Sequence, residues 1–190
     1  MHKLDIIKYD IYRYVGKLDI STALRCAVSV PGAKYMVILR ITKLLKDSRL
    51  LFWPLYCFFR LLLKHYEYKF GICIPYNTQI APGFHIGHYG AIVVNHEAII
   101  GKNCNISHGV TIGASYGGKN PGTPTILNNV YLGPGSKIIG GITIGNNVAV
   151  GANCVVTKSV SDSAVIIGIP GKVISYNGSK NYIINTIEKL

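Results

Sequence analysis

Two of the six histidines hold matching places in an otherwise aliphatic repeat, and chemistry is expected there. His88 follows Ile86 by two residues, and His108 follows Ile106 by two. Imidazole is the side chain whose ordinary pKa lets it take a proton near neutrality, so the natural role for either is general base. Other chemistries lack their residues. Acidic side chains are scarce in the repeat, Glu97 and Asp162 alone, which argues against a paired-carboxylate hydrolase. The five cysteines (Cys26, Cys57, Cys73, Cys104, Cys154) lack metal-ligand spacing, and no carboxylate or thiolate completes a zinc set around the two histidines, so no metal is expected.

Whether the imidazoles meet depends on the elements that carry them. An aliphatic residue recurs at every sixth position at Ile126, Leu132, Ile138, Ile144, Val150 and Val156. Neither an α-helix nor an amphipathic strand has that period. A chain that runs straight, turns and repeats in six-residue steps closes a triangular coil, which is a left-handed parallel β-helix. Such coils bury a core only by stacking on their neighbours. The aliphatic residues point inward, as do the smaller residues two places before them (Val130, Ser136, Ile142, Val148, Cys154), while Gly133, Gly145, Asn146, Asn147 and Gly151 take the corners, where short or φ-positive residues are needed.

The same register opens at Ile74, Ile80 and Ile86 and, after two extra residues, continues at Val94, Ile100, Ile106 and Ile112. Ile86 and Ile106 therefore stack one coil apart, a spacing of about 4.8 Å, and bring His88 and His108 to one edge of the prism. Between Ile112 and Ile126 the Gly- and Pro-rich stretch ASYGGKNPGTPT is expected to project as an exposed arm.

The fold class is thus mainly β, a β-helix over residues 71–175, preceded by a helical, basic region over 1–70 and followed by a tail, 176–190, that ends in a helix-like NYIINTIEKL. Apolar residues at three and four spacing mark helices in DIIKYDIYRYVGKLDISTALRCAVSV and AKYMVILRITKLLKD, divided by Pro31 and Gly32. The formal charge is +12, and thirteen Lys or Arg against five Asp or Glu precede Phe70. A polyanion or an anionic membrane fits that balance, and no nucleic-acid recognition motif accompanies it. Residues 49–70 set Arg49, Arg60, Lys64 and Lys69 beside Trp53, Phe58 and Phe59; broken by Pro54 and Arg60, the run is too short to span a bilayer and suits a peripheral membrane contact or a packed helix. The start of the chain, Met1 to Asp10, carries no apolar signal run, and cysteines used as small hydrophobes suit a reducing cytoplasm.

The stretches GICIPYNTQIAPGFHIGHYGAIVVN, ISHGVTIGASYGG, GPGSKIIGGITIGNNVAVGANCVV and GIPGKVI resemble the hexapeptide-repeat acyltransferases, and among them the serine acetyltransferase branch. The resemblance implies a homotrimer with acetyl-CoA lying between adjacent prisms and a histidine, here His88, deprotonating an acceptor hydroxyl. It sets Gly113, Ala114, Gly133, Pro134 and Ala152 along the pantetheine arm, and Pro170 and Lys172 near the nucleotide end; the charge of Lys172 or Lys158 suits a phosphate there. His108 is expected to assist His88. The chain departs from the branch at Cys73, where an aspartate would orient the histidine, at Gly87, where another precedes it, and at Gly122 and Thr123, which replace an Arg-His pair that helps to hold serine.

With those charged partners gone, the sequence favours a sugar hydroxyl of a capsule, exopolysaccharide or O-antigen precursor as the acceptor, at the inner face of the membrane. Serine O-acetylation is the alternative among enzymes, and a catalytically silent trimeric scaffold the alternative of another kind.

Overall fold

The computed structural model describes residues 5–47 and 52–189. Four helices come first: α1 (Asp5–Val15), α2 (Ile20–Ser29), α3 (Pro31–Asp47) and α4 (Trp53–Phe70). The first apolar-periodic stretch is two helices, because Gly16 takes a left-handed φ of 69° and Asp19 then caps α2, its carboxylate accepting from the Thr22 amide at 2.9 Å. Pro31 opens α3, and Gly71, at φ 61°, closes α4.

Short strands then stack into three parallel sheets, each gaining one strand per coil. The first sheet holds Ile72–Cys73, Ile92–Val94, Thr111–Gly113, Lys137–Ile139 and Val155–Val156; the second, Gln79–Ile80, Ile99–Ile100, Thr125–Ile126 and Thr143–Ile144. His85–Ile86, Asn105–Ile106, Tyr131–Leu132, Ala149–Val150 and Val165–Ile167 make the third, closed by the antiparallel Lys172–Ser175. Every hexad aliphatic named above from Ile74 to Val156 is buried, and so are the five small residues two places ahead of them. Among the corner residues Asn147 takes the left-handed conformation, whereas Gly133 and Gly145 are needed for close approach: a Cβ would come to 2.6 Å of the Val150 carbonyl and 2.4 Å of an Asp162 carboxylate oxygen.

The top coil has no coil above it, so its backbone groups need other partners. The helices supply them. Tyr35 donates to the Ile74 carbonyl at 3.0 Å and accepts from the Ile74 amide at 3.2 Å. Tyr14 treats Ile86 the same way, at 3.3 and 2.9 Å. Arg40 donates to the carbonyls of Ile80 and Ala81, and Asp10 accepts from the amides of Gly83 and Phe84. Asp10 and Arg40 are themselves an ion pair at 2.8 Å, with both side chains nearly inaccessible.

The tail is not the helix expected of it. Apart from a 3₁₀ turn at Ile187–Lys189, it runs as irregular chain over the outer face of the third sheet. Tyr182 stacks on Tyr131 with centroids 4.5 Å apart, Asn105 donates to the Tyr182 carbonyl at 2.9 Å, and Arg13 of α1 donates to the Ile184 carbonyl at 3.1 Å. Arg13 also reaches the Asn105 side chain, so helix, sheet and tail share one guanidinium.

The membrane contact expected of residues 49–70 finds no support. Arg49 lies outside the described residues. In α4, Arg60 sits 4.3 Å over the Tyr76 ring and Lys64 pairs with Glu67 at 2.8 Å, so two of the expected lipid-facing cations are engaged within the protein. Phe59 packs against the core, while Trp53 and Phe58 are exposed. No helix among the described residues is long and apolar enough to cross a membrane.

Candidate active site

Strand register decides what stands at each corner. His85 pairs with Asn105 and Ile86 with Ile106, and the ladder continues through Leu132 and Val150 to Ile166. The residues two places further on, His88, His108, Pro134, Ala152 and Gly168, therefore form one seam between the third and first sheets. His88 and His108 meet edge to face with ring centroids 5.9 Å apart, and both are open to solvent. Below them the seam is shallow, since Pro134, Ala152 and Gly168 project little beyond the backbone. Its coils are stitched by the Gly135 amide to the His108 carbonyl at 2.9 Å and the Asn153 amide to the Pro134 carbonyl at 2.8 Å.

Gly113 ends a strand of the first sheet opposite Ile139, and the half-buried Ala114 leads from it into the interrupting loop. That loop is exposed at its tip, with Tyr116 95% accessible, but its base does not stand free. Ser115 and Gly122 bridge each other, and Asn120 donates to the Thr157 carbonyl at 2.9 Å. Loop and prism enclose a cleft of about 310 Å³ lined by Ser115, Lys119, Ile139 and Lys158 among others. Lys158 also lines a second cleft of about 280 Å³ with Pro170 and Lys172, so the three residues expected near the nucleotide end share one neighbourhood. Gly133 differs from the other expected contacts. It is buried against the coil below, and its lack of a side chain serves packing.

Sequence reasoning missed His85. Its strand position pairs it with Asn105, and its ring packs at a tilt against that of Tyr14 with centroids 4.3 Å apart. Burial, with the Arg13 charge and His88 adding to it, holds its pKa down to about 4, so it is neutral at physiological pH. Its Nδ1 is buried without a hydrogen-bond partner. The signal available in sequence was the HIGH spacing, which puts two imidazoles within one strand and its turn. No group of three or more His, Cys, Asp or Glu side chains that could hold a metal occurs among the described residues. The thiols are free, and burial pushes that of Cys104 up to about 12, consistent with an inert core residue.

Residues 123–158 match the bacterial transferase hexapeptide (six repeats) family. The coils over these residues are accordingly hexapeptide repeats, and the fold is the left-handed β-helix that such repeats wind. The chain is similar to serine acetyltransferases. The enzyme of Synechococcus elongatus is 37% identical over 150 residues, 78% of this chain and 59% of the relative. The solved serine acetyltransferase of Neisseria gonorrhoeae, in complex with serine, is 26% identical with a TM-score of 0.70, over 90% of this chain and 68% of that one. That of Brucella abortus, in complex with coenzyme A, shares the fold at a TM-score of 0.76 and 24% identity, over 92% and 68%. The chain thus spans about three fifths of the length of the Synechococcus relative. These likenesses overturn the sugar-acceptor reading, which rested on the residues lost at Cys73, Gly87, Gly122 and Thr123. Relatives and neighbours point to serine acetylation instead.

Proposed function

We propose that this chain transfers acetyl from acetyl-CoA to the hydroxyl of serine, with His88 as general base. The observation that carries the reading is the pair of imidazoles 5.9 Å apart at the head of a seam of small residues, in a chain similar to serine acetyltransferases. The serine Oγ attacks the thioester carbonyl carbon as His88 takes its proton. The tetrahedral oxyanion collapses, the C–S bond breaks, and the imidazolium returns the proton to the CoA thiolate. Backbone amides near Gly113 and Ala114 serve the oxyanion, and His108 supports the proton transfer from beside it. Pro134 and Ala152 let the pantetheine arm approach the backbone, while Lys158 and Lys172 meet phosphate charge beside Pro170.

Three copies around an axis would complete the crevice from both sides, and the reaction would run in the cytoplasm, where acetyl-CoA is available. The division of labour follows the sequence regions, with 71–175 transferring the acetyl group and 1–70 capping and completing the acceptor side. Replacing His88 by Ala is expected to cut serine-dependent thiol release from acetyl-CoA by about 100-fold or more. A variant that turns over nearly as fast as the parent removes His88 from the mechanism.

A further inference from the structure

Resting on that reading, we propose that the interrupting arm forms a second phosphate-binding wall for CoA, in which Lys119 and the bare backbone of Gly117 and Gly118 hold a phosphate that Lys158 shares. The cleft of about 310 Å³ between arm and prism is lined by Lys119 and Lys158 together with Gly117, Gly118 and Asn120. Thr157 and Lys158 also line the cleft of about 280 Å³ that contains Lys172, so the two clefts form one trough with a common wall. All three lysines are exposed, and none of them has a carboxylate partner among the described residues. Neither cleft has an Asp or Glu in its lining. The two acids of the repeat are bound elsewhere: Glu97 accepts from the Thr123 hydroxyl at 3.2 Å, at the far end of the arm, and Asp162 from the Asn146 amide at 2.7 Å.

The arm holds this wall in place. Asn120, next to Lys119, donates through its side chain to the Thr157 carbonyl at 2.9 Å and accepts at its own carbonyl from the Gly141 amide at 3.0 Å, so two successive coils anchor it. On the other side the Ser115 hydroxyl donates to the Gly117 carbonyl at 2.8 Å. Between these anchors the amides of Gly117, Gly118 and Lys119 donate to no acceptor among the described residues, and a Cβ on either glycine would meet nothing within 4 Å. Free amides beside an ammonium suit a phosphate, whose three terminal oxygens can be met from several sides at once. CoA carries two separate phosphate groups, the diphosphate and the 3′-phosphate of its ribose. A trough of two lobes with one shared lysine matches a ligand of that kind: Lys158 and Lys172 meet one group, and Lys119 with Lys158 meets the other.

The assignment is tested by calorimetric titration of CoA into the parent, Lys119→Gln and Lys119→Arg, without acetyl group or acceptor. Lys119→Gln is expected to bind CoA about fivefold or more weakly and Lys119→Arg nearly as well as the parent, while pantetheine, which has no phosphate, binds all three alike. In turnover the same loss should appear in KM for acetyl-CoA with kcat little altered, because Lys119 touches no reacting atom. Titration with 3′-dephospho-CoA separates the two sources of phosphate: a difference between parent and Lys119→Gln that vanishes assigns Lys119 to the 3′-phosphate, and one that persists assigns it to the diphosphate. CoA binding in Lys119→Gln as tight as in the parent overturns the assignment, as does an equal loss with pantetheine. Weakened CoA binding in Lys119→Gln, in a protein that does not acetylate serine, retains the phosphate wall and rejects the serine reaction; serine acetylation with an unchanged KM for acetyl-CoA in Lys119→Gln retains the reaction and rejects the wall.

Discussion

The top coil and the coils beneath it solve the same problem by opposite means. From Ile92 to Val150 each strand finds its hydrogen-bond partners in coils above and below, and the interior is a column of interchangeable aliphatics such as Val94, Ile112, Ile138 and Val156. The top coil has only one neighbour, and its upper edge is met by single side chains reaching from helices: Asp10, Tyr14, Tyr35 and Arg40, each with a unique pair of backbone partners. A repeated contact is redundant, while a one-off polar contact is not. The histidines stand where the redundancy ends, next to the polar lid and the widened turn that carries His88.

The contrast is broken most severely at Asp10. Asp10→Ala leaves the Arg40 guanidinium buried without its counter-ion and two amides of the top coil without an acceptor, and it is expected to cost about 3–5 kcal/mol. Urea unfolding of the variant against the parent measures this. A loss below about 1 kcal/mol would mean that the lid is held by packing and not by its charges.

His85 sharpens the contrast through pH. Its value of about 4 in the folded protein lies below the roughly 6.5 of a free imidazole, so the unfolded chain takes up the proton first as the solution is acidified. The stabilising effect of a neutral ring is complete above about pH 6.5 and is lost as the pH falls towards 4. Between pH 7.5 and 4.5 the parent should lose about 2–3 kcal/mol that His85→Phe keeps, as read from urea midpoints at the two pH values. Parallel curves would show that the ring is not held neutral by burial.

How much of this was legible follows from the same division. The six-residue period announces itself because every coil makes the same demand on its sequence, and register alone then brings His88 beside His108. The break between α1 and α2 was also written, in Gly16 as a helix stop and Asp19 as a cap, although apolar spacing ran straight through it. What could not be read depends on contacts between distant segments. His85 looks like any outward strand residue until Tyr14, seventy-one positions earlier, is laid over it and the tail is folded along the same face. Gly133 reads equally well as a ligand contact or a packing necessity, and only the Val150 carbonyl beside it decides. The acceptor was misjudged for a related reason: residues lost at four positions say what no longer binds serine, not what has taken their place.

The smallest expected effect tests the redundant half of the comparison. Ile138 is fully buried, with Ile112 and Val156 as its neighbours in the stacked column. Ile138→Val removes one methylene from a site where both neighbours can settle towards the gap, and the strand keeps its backbone bonds to both adjacent coils. The expected loss is about 0.5–1.5 kcal/mol, several-fold below that of Asp10→Ala, with serine-dependent turnover unchanged because the Ile138 side chain is buried inside the prism while both imidazoles stand on its outside. If Ile138→Val instead unfolds the protein as readily as Asp10→Ala, the column is as uniquely fitted as the lid. The prism would then be a jigsaw of particular side chains and not a stack of interchangeable ones, and the ease with which its period was read would reflect shape selected coil by coil.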